Sequence, residues 1–214
     1  MSDTPIDVFI DLPSFPGPVQ AGRLWSHFRK GRESASFEYN KEWLANPHRF
    51  ALEPLLPLAD GTFHTNPGQS VFGAIGDSTP DRWGRILMRR AELARARTAN
   101  ESPHTLSELD YLLRVNDEAR QGALRFSQDG GQSFCAPPGS TPIPPLVNLS
   151  RLLHAADHFC RDDENAEDLR LLLAPGSSLG GARPKASVKD KKGNLCIAKF
   201  PRYDDEYNVV AWEA

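Results

Sequence analysis

Residues 135–146 read CAPPGSTPIPPL, and no helix or interior strand can run through them. Five prolines remove five backbone donors and fix φ near the polyproline value, so the segment is extended and ends whatever precedes it. The chain therefore divides into a piece before this spacer and a piece after it. The expected boundaries are residues 1–135, a linker at 136–148, and a second piece at 149–214. With 214 residues in all, each piece can bury a modest core.

Composition excludes several classes. A net charge of −3 argues against a general polyanion binder, and 39% hydrophobic with 25% charged residues is ordinary for a water-soluble globule. Cys135, Cys160 and Cys196 are scattered and lack C-x-x-C spacing, which argues against a disulfide framework or thiolate zinc site and fits a reducing cytoplasm. The N-terminus MSDTPIDVFIDLPSF lacks a basic region followed by an apolar core, and no apolar run reaches the ~18 residues needed to span a bilayer. A cytoplasmic protein without a membrane partner is expected.

The first piece reads as short strands broken by turns. DVFIDL alternates, SFEY follows within SASFEYNKEWL, and RFALEPLLPLADGTF ends on the Asp60-Gly61 turn signal. A helix over residues 79–97 has Ser78 or Thr79 as N-cap, Pro80 at its first position and Asp81 in its first turn. Trp83, Ile86, Leu87 and Leu93 fall near one face of it, with arginines around the rest. A second helix is predicted over 105–115, and GALRFSQDGGQSF predicts a hairpin around Gly130-Gly131. After the spacer, helices are predicted at 149–161 and 166–173. KASVKD, KKGN and LCIAKFP then read as strand, turn and strand, with Gly193-Asn194 at the turn.

The stretch GSSLGGARPKASV joins the last helix to that hairpin. Gly180 and Gly181 let backbone N–H groups approach a phosphate, Ser177 and Ser178 add hydroxyl donors, and Arg183 and Lys185 add positive charge. It is neither a G-x-G-x-x-G nor a G-x-x-x-x-G-K-[ST] loop. Lys199 lies in NLCIAKF, 19 positions after Gly180, with apolar residues on both faces of its strand. A buried ammonium needs an anionic partner. Protein kinases place a phosphate-holding lysine on such a strand behind a glycine-rich loop, paired with a glutamate on the next helix. Here DDEYNVVAWEA is expected to open that helix, with Glu213 the preferred partner of Lys199 and Glu206 the alternative.

Taken together, GSSLGGARPKASV and CIAKFP resemble the HipA-like serine/threonine kinases, the toxin components of bacterial toxin–antitoxin pairs. SFEYNKEWL with PLLPL, DSTPDRWGRILMRR and DEARQGALRF agree in the same order. The resemblance implies an α+β fold: an N-terminal β-rich subdomain, then a kinase-like small lobe whose antiparallel sheet carries the glycine-rich loop. It implies ATP contacts at Leu179, Gly180, Gly181, Ala182, Arg183, Pro184, Lys185 and Lys199, with Ser178 as an autophosphorylation site. It also implies Mg²⁺ as cofactor, a translation component such as glutamyl-tRNA synthetase as protein substrate, and a HipB-like DNA-binding antitoxin as partner. The family's catalytic base and magnesium ligands belong to a larger helical lobe, expected beyond Ala214. No HRD-like or DFG-like segment occurs here. No catalytic residue is assigned, and these 214 residues alone, whether truncation, fragment or one piece of a split system, are expected to be inactive in phosphoryl transfer.

Two other readings compete. Arg82, Arg85, Arg89, Arg90, Arg95 and Arg97 make the helix after Pro80 basic, which suits a nucleic-acid-binding module or an indirect operator contact. A non-catalytic interaction protein, or one half of a split toxin, would instead leave an apolar docking face bare. His154 and His158, one helical turn apart without a matching ligand cluster, read as helix surface, and Cys196 reads as core packing.

Overall fold

The computed structural model describes residues 5–136, 142–176 and 181–207. In chain order the elements begin β1 (Ile6–Ile10), β2 (Val19–Arg29), β3 (Arg32–Tyr39), α1 (Lys41–Ala45), β4 (Thr62–His64) and α2 (Gly73–Gly76). They continue with α3 (Arg82–Ala99), α4 (Glu108–Leu113), β5 (Leu124–Ser127), α5 (Leu149–Cys160), α6 (Ala166–Gly176), β6 (Lys185–Lys189) and β7 (Leu195–Lys199). Two compact units share the chain. Residues 1–79, 107–113 and 121–135 form the first, and residues 80–106, 114–120 and 136–214 the second.

The first unit is an antiparallel sheet in the order β4-β3-β2-β1-β5. β1 lies between β2 and β5 and is buried along its whole length, so the alternation in DVFIDL does not mark a solvated face. Ile6, Val8 and Ile10 enter the core. On the opposite face the Asp7 carboxylate accepts from Gln20 at 2.6 Å and Arg23 at 3.0 Å, while Phe9 meets Phe134 edge-on at 5.5 Å. The turn after β5 thus covers β1 rather than opening a second hairpin strand, although Cys135 N still donates to Phe126 O at 2.8 Å. β2 and β3 join through Lys30 and Gly31, both at positive φ, a two-residue turn that follows the sheet's twist.

Trp43 on α1 is fully buried and packs edge-on against Phe15 and Phe50. The buried Tyr39 hydroxyl donates to Leu56 O at 2.7 Å and accepts from Leu52 N at 3.0 Å, and burial raises its pKa. α4 starts later than its apolar spacing suggests because Ser107 caps it. The Ser107 hydroxyl accepts from Asp110 N, Asp110 returns the bond to Ser107 N, and the Glu33 carboxylate takes the Glu108 and Leu109 amides.

In the second unit α3 packs with α5, α6 and the β6–β7 hairpin around Trp83, Leu87, Leu152, Phe159, Leu172, Val188 and Phe200. Asn165 caps α6 by accepting from Glu167 N and Asp168 N, and the helix runs to Gly176, three residues beyond its expected end. The hairpin turn is closed by Asp190, whose carboxylate accepts from Lys192 N and Asn194 N, with Gly193 at φ 84°. The proline-rich segment is not a free tether at its C-terminal end. Ile143 is buried, Lys189 N donates to Pro144 O at 2.9 Å, and Pro145 forms a parallel bridge with Lys189.

Candidate functional site

The two ends of the glycine loop are held by the same turn of α3. At the first end Gly176 is buried so tightly that a Cβ there would lie 2.7 Å from Leu87 Cδ1 and 3.0 Å from Trp83 Nε1. At the other end Gly181, at φ 80°, donates its N–H to the Asp81 carboxylate at 2.8 Å. Its carbonyl accepts from Trp83 N at 3.0 Å. The Trp83 indole N–H reaches the Lys185 carbonyl at 2.9 Å, and its ring meets Phe159 edge-on at 5.0 Å. Ser177, Ser178, Leu179 and Gly180 lie outside the described residues. So do Glu213, the expected ion-pair partner of Lys199, and Ala214, past which the resemblance puts the catalytic base and magnesium ligands.

Asp81 explains why α3 begins at Arg82. It occupies the N-cap position but makes no cap bond to its own helix, directing its carboxylate to Gly181 instead. The N-cap is therefore neither Ser78 nor Thr79, and the Thr79 hydroxyl donates to Gly76 O. No local pattern announces a contact between residues 100 positions apart. Asp81 was legible only as a residue near a helix start, and Trp83 only as a packing ring.

Arg183 does not point bare charge at a ligand. Its guanidinium forms a two-pronged bond to Asp205, at 2.8 and 2.9 Å, and holds that carboxyl at about 2. Asp205 also accepts from Arg202 N, so residues 202–205 fold into a turn, and no helix starts at Asp204 among the described residues. Glu206 is exposed. Pro184 is buried and its carbonyl accepts from Phe200 N at 2.9 Å, which seats the loop exit on the end of β7. Ala182 is exposed and lines a cleft of about 280 Å³ with Pro184, Trp83, Phe159 and Tyr203.

Lys185 and Lys199 are register partners across the hairpin, on the same face. Lys185 is half-buried, and its Nζ lies 2.9 Å from where a Gly181 Cβ would be. Lys199 is exposed, contrary to the expectation of a strand buried on both faces. Among the described residues β7 pairs with β6 alone. Leu195 and Ile197, which share the face of Lys199, are 48% and 55% exposed. Cys196 is exposed too, which corrects its reading as a core residue. Lys185 stands on its placement beside Gly181 and Lys199 on its register with Lys185, not on desolvation.

The basic helix is largely taken up by internal ties. Arg90 binds Glu164 and Asp162 and lies over the Phe159 ring at 4.1 Å. Arg95 binds Glu92 and Glu101, and Arg85 donates to Pro80 O. Arg82, Arg89 and Arg97 are exposed, a thin surface for gripping nucleic acid. His158 pairs with Asp168 at 3.0 Å, which raises its pKa, and burial raises that of the half-buried Cys160 thiol. Among the described residues no group of three or more histidines, cysteines and carboxylates could hold a metal ion, and no helix is long and apolar enough to cross a membrane.

No curated protein matches the sequence. Residues 17–127, just over half of the chain, match the model of the HipA N-terminal domain. The match runs from β2 to β5 and takes in the whole of α3 and α4, while the glycine loop and the β6–β7 hairpin follow it. On that match the chain belongs to the HipA N-terminal domain family.

Proposed function

We propose that the chain is the nucleotide-binding part of a HipA-like serine/threonine kinase toxin. Residues 179–185 take the phosphates of ATP, and Lys185 with Lys199 neutralises them. The observation that carries this reading is the cross-strand lysine pair, with the Lys185 ammonium against Gly181. Register partners on one face of the hairpin put two long cationic side chains within reach of one polyphosphate, which can accept from both. A glycine at φ 80° supplies the bare backbone that close approach of a phosphate requires.

The remaining parts of the proposal rest on family membership. A protein of the translation machinery is the substrate, and a HipB-like DNA-binding antitoxin is the partner. Autophosphorylation of Ser178 would add roughly two negative charges to the loop and so oppose ATP. The magnesium ligands are expected outside the described residues, among which no group of three or more histidines, cysteines and carboxylates could hold a metal ion, so no transfer step is assigned to them.

The test is thermal unfolding of the chain with ATP. A nucleotide at a hundred times its Kd stabilises the folded state by about 2.7 kcal/mol. Wild type is expected to shift, and Lys185→Ala and Lys199→Ala to lose most of that shift. A wild-type protein indifferent to millimolar ATP would refute the reading.

A further inference from the structure

We infer that Asp81 competes with the nucleotide phosphates for the Gly181 amide, which stays bonded to the start of α3 until a phosphate displaces the carboxylate. The inference rests on the nucleotide reading of the loop and adds its regulation.

The Gly181 N–H is the one described amide of the Gly180-Gly181 pair, and it already donates to an anion, the Asp81 carboxylate, at 2.8 Å. An amide has one proton to give. A phosphate oxygen that takes it must evict the carboxylate or do without. Asp81 is also not held in place by its own helix, because it makes no N-cap bond there. Its carboxylate is thus committed to the loop, and eviction would leave it free to turn back and cap α3. The second half of the clasp, Trp83 N to Gly181 O, supports the first. The Gly181 N–H and C=O belong to successive peptide planes, so the two bonds hold the residue from both sides. Electrostatics act in the same direction, since a carboxylate and a polyphosphate beside one amide repel each other. Lys185, with its ammonium near Gly181, is placed to favour whichever anion holds the site.

A latch and a positioning strut predict opposite signs. If Asp81 positions the loop for ATP, its removal weakens binding; if it competes, its removal strengthens binding. Asp81→Asn keeps the shape and removes the charge, and Asp81→Ser withdraws the reach while leaving a helix cap. We expect both variants, with unfolding midpoints near wild type, to bind ATP and tripolyphosphate about three- to tenfold more tightly, the range for losing one ordinary solvent-exposed hydrogen bond. Adenosine, which has no phosphate, should gain nothing. Amide hydrogen exchange in the peptide containing Gly181 should quicken in the ligand-free variants. Unchanged or weaker ATP binding by both folded variants overturns the latch and leaves the nucleotide reading standing. If neither wild type nor variants bind ATP or tripolyphosphate while exchange at Gly181 still quickens, the nucleotide reading fails and the competition fails with it, and only a structural clasp remains.

Discussion

The indole N–H of Trp83 donates to the main-chain oxygen of Lys185 at 2.9 Å, joining the first turn of α3 to the first residue of β6 across 102 positions of sequence. That bond, with the contact between Trp83 and Phe159, makes one side chain responsible for the core of the second unit and for the seat of the loop. Trp83→Phe keeps the ring and strands the Lys185 carbonyl, at a cost of about 1–3 kcal/mol. Trp83→Ala also opens a cavity and should cost about 3–5 kcal/mol. Urea unfolding of the two variants measures the difference, and equal losses would contradict the assigned role of the N–H.

Gly22 on β2 admits no side chain. A Cβ there would lie 2.2 Å from Glu38 O and 2.5 Å from Phe37 Cζ, inside the β2–β3 ladder. Gly22→Ala should destabilise by about 1–3 kcal/mol, as overpacking of a tight interior does. Gly17→Ala, with nothing within 4 Å of the new atom, is the neutral control. Chemical denaturation with an unchanged m-value checks both.

Glu92 is a buried carboxylate that gathers Arg95, Arg114 and the His104 amide. Its pKa is lowered to about 2, first by the hydrogen bonds from Arg95. A carboxyl whose folded pKa lies below its unfolded value contributes its full stability above the unfolded value and loses it as pH falls through the folded one. The second unit should therefore weaken between about pH 4.5 and pH 2, and Glu92→Gln should flatten that part of the stability profile. Melting temperatures across that range give the answer.

The Arg183–Asp205 pair ties the loop exit to the turn after β7. Arg183→Lys loses one prong of the fork, and Asp205→Asn loses the charge. Each should lower stability only slightly, because the pair is solvent-screened. The double variant should cost little more than either single one. Proteolysis at Arg202 should quicken in all three. Additive costs would show that the residues act separately.

Much of the fold was legible in the sequence because it is written locally. Pro-rich and glycine-bearing turns and the apolar spacing of α3 and α4 all act within a few residues. What was not legible depends on distant partners. β1 alternates in polarity yet is buried on both faces, because the turn carrying Gly131 and Phe134 folds over it. LCIAK looks like an interior strand, yet it sits at the edge of a two-stranded ladder with Ile197 half in water. At the candidate site Gly181, Lys185 and Lys199 were singled out from residue type and spacing. The partners Asp81 and Asp205 were not, since hydrogen bonds across 100 and 22 positions leave no periodic trace.

The parallel bridge between Pro145 and Lys189 bears on how this protein behaves in concentrated solution. An open ladder flank invites pairing with a neighbouring chain. Along β6 that flank is occupied near Lys189 by Pro144 and Pro145, which take a hydrogen bond but have no N–H to extend the ladder outward. The spacer thus works as a built-in guard against fibril growth at that end of the hairpin. Its removal would expose a sticky rim without touching a single residue of the loop.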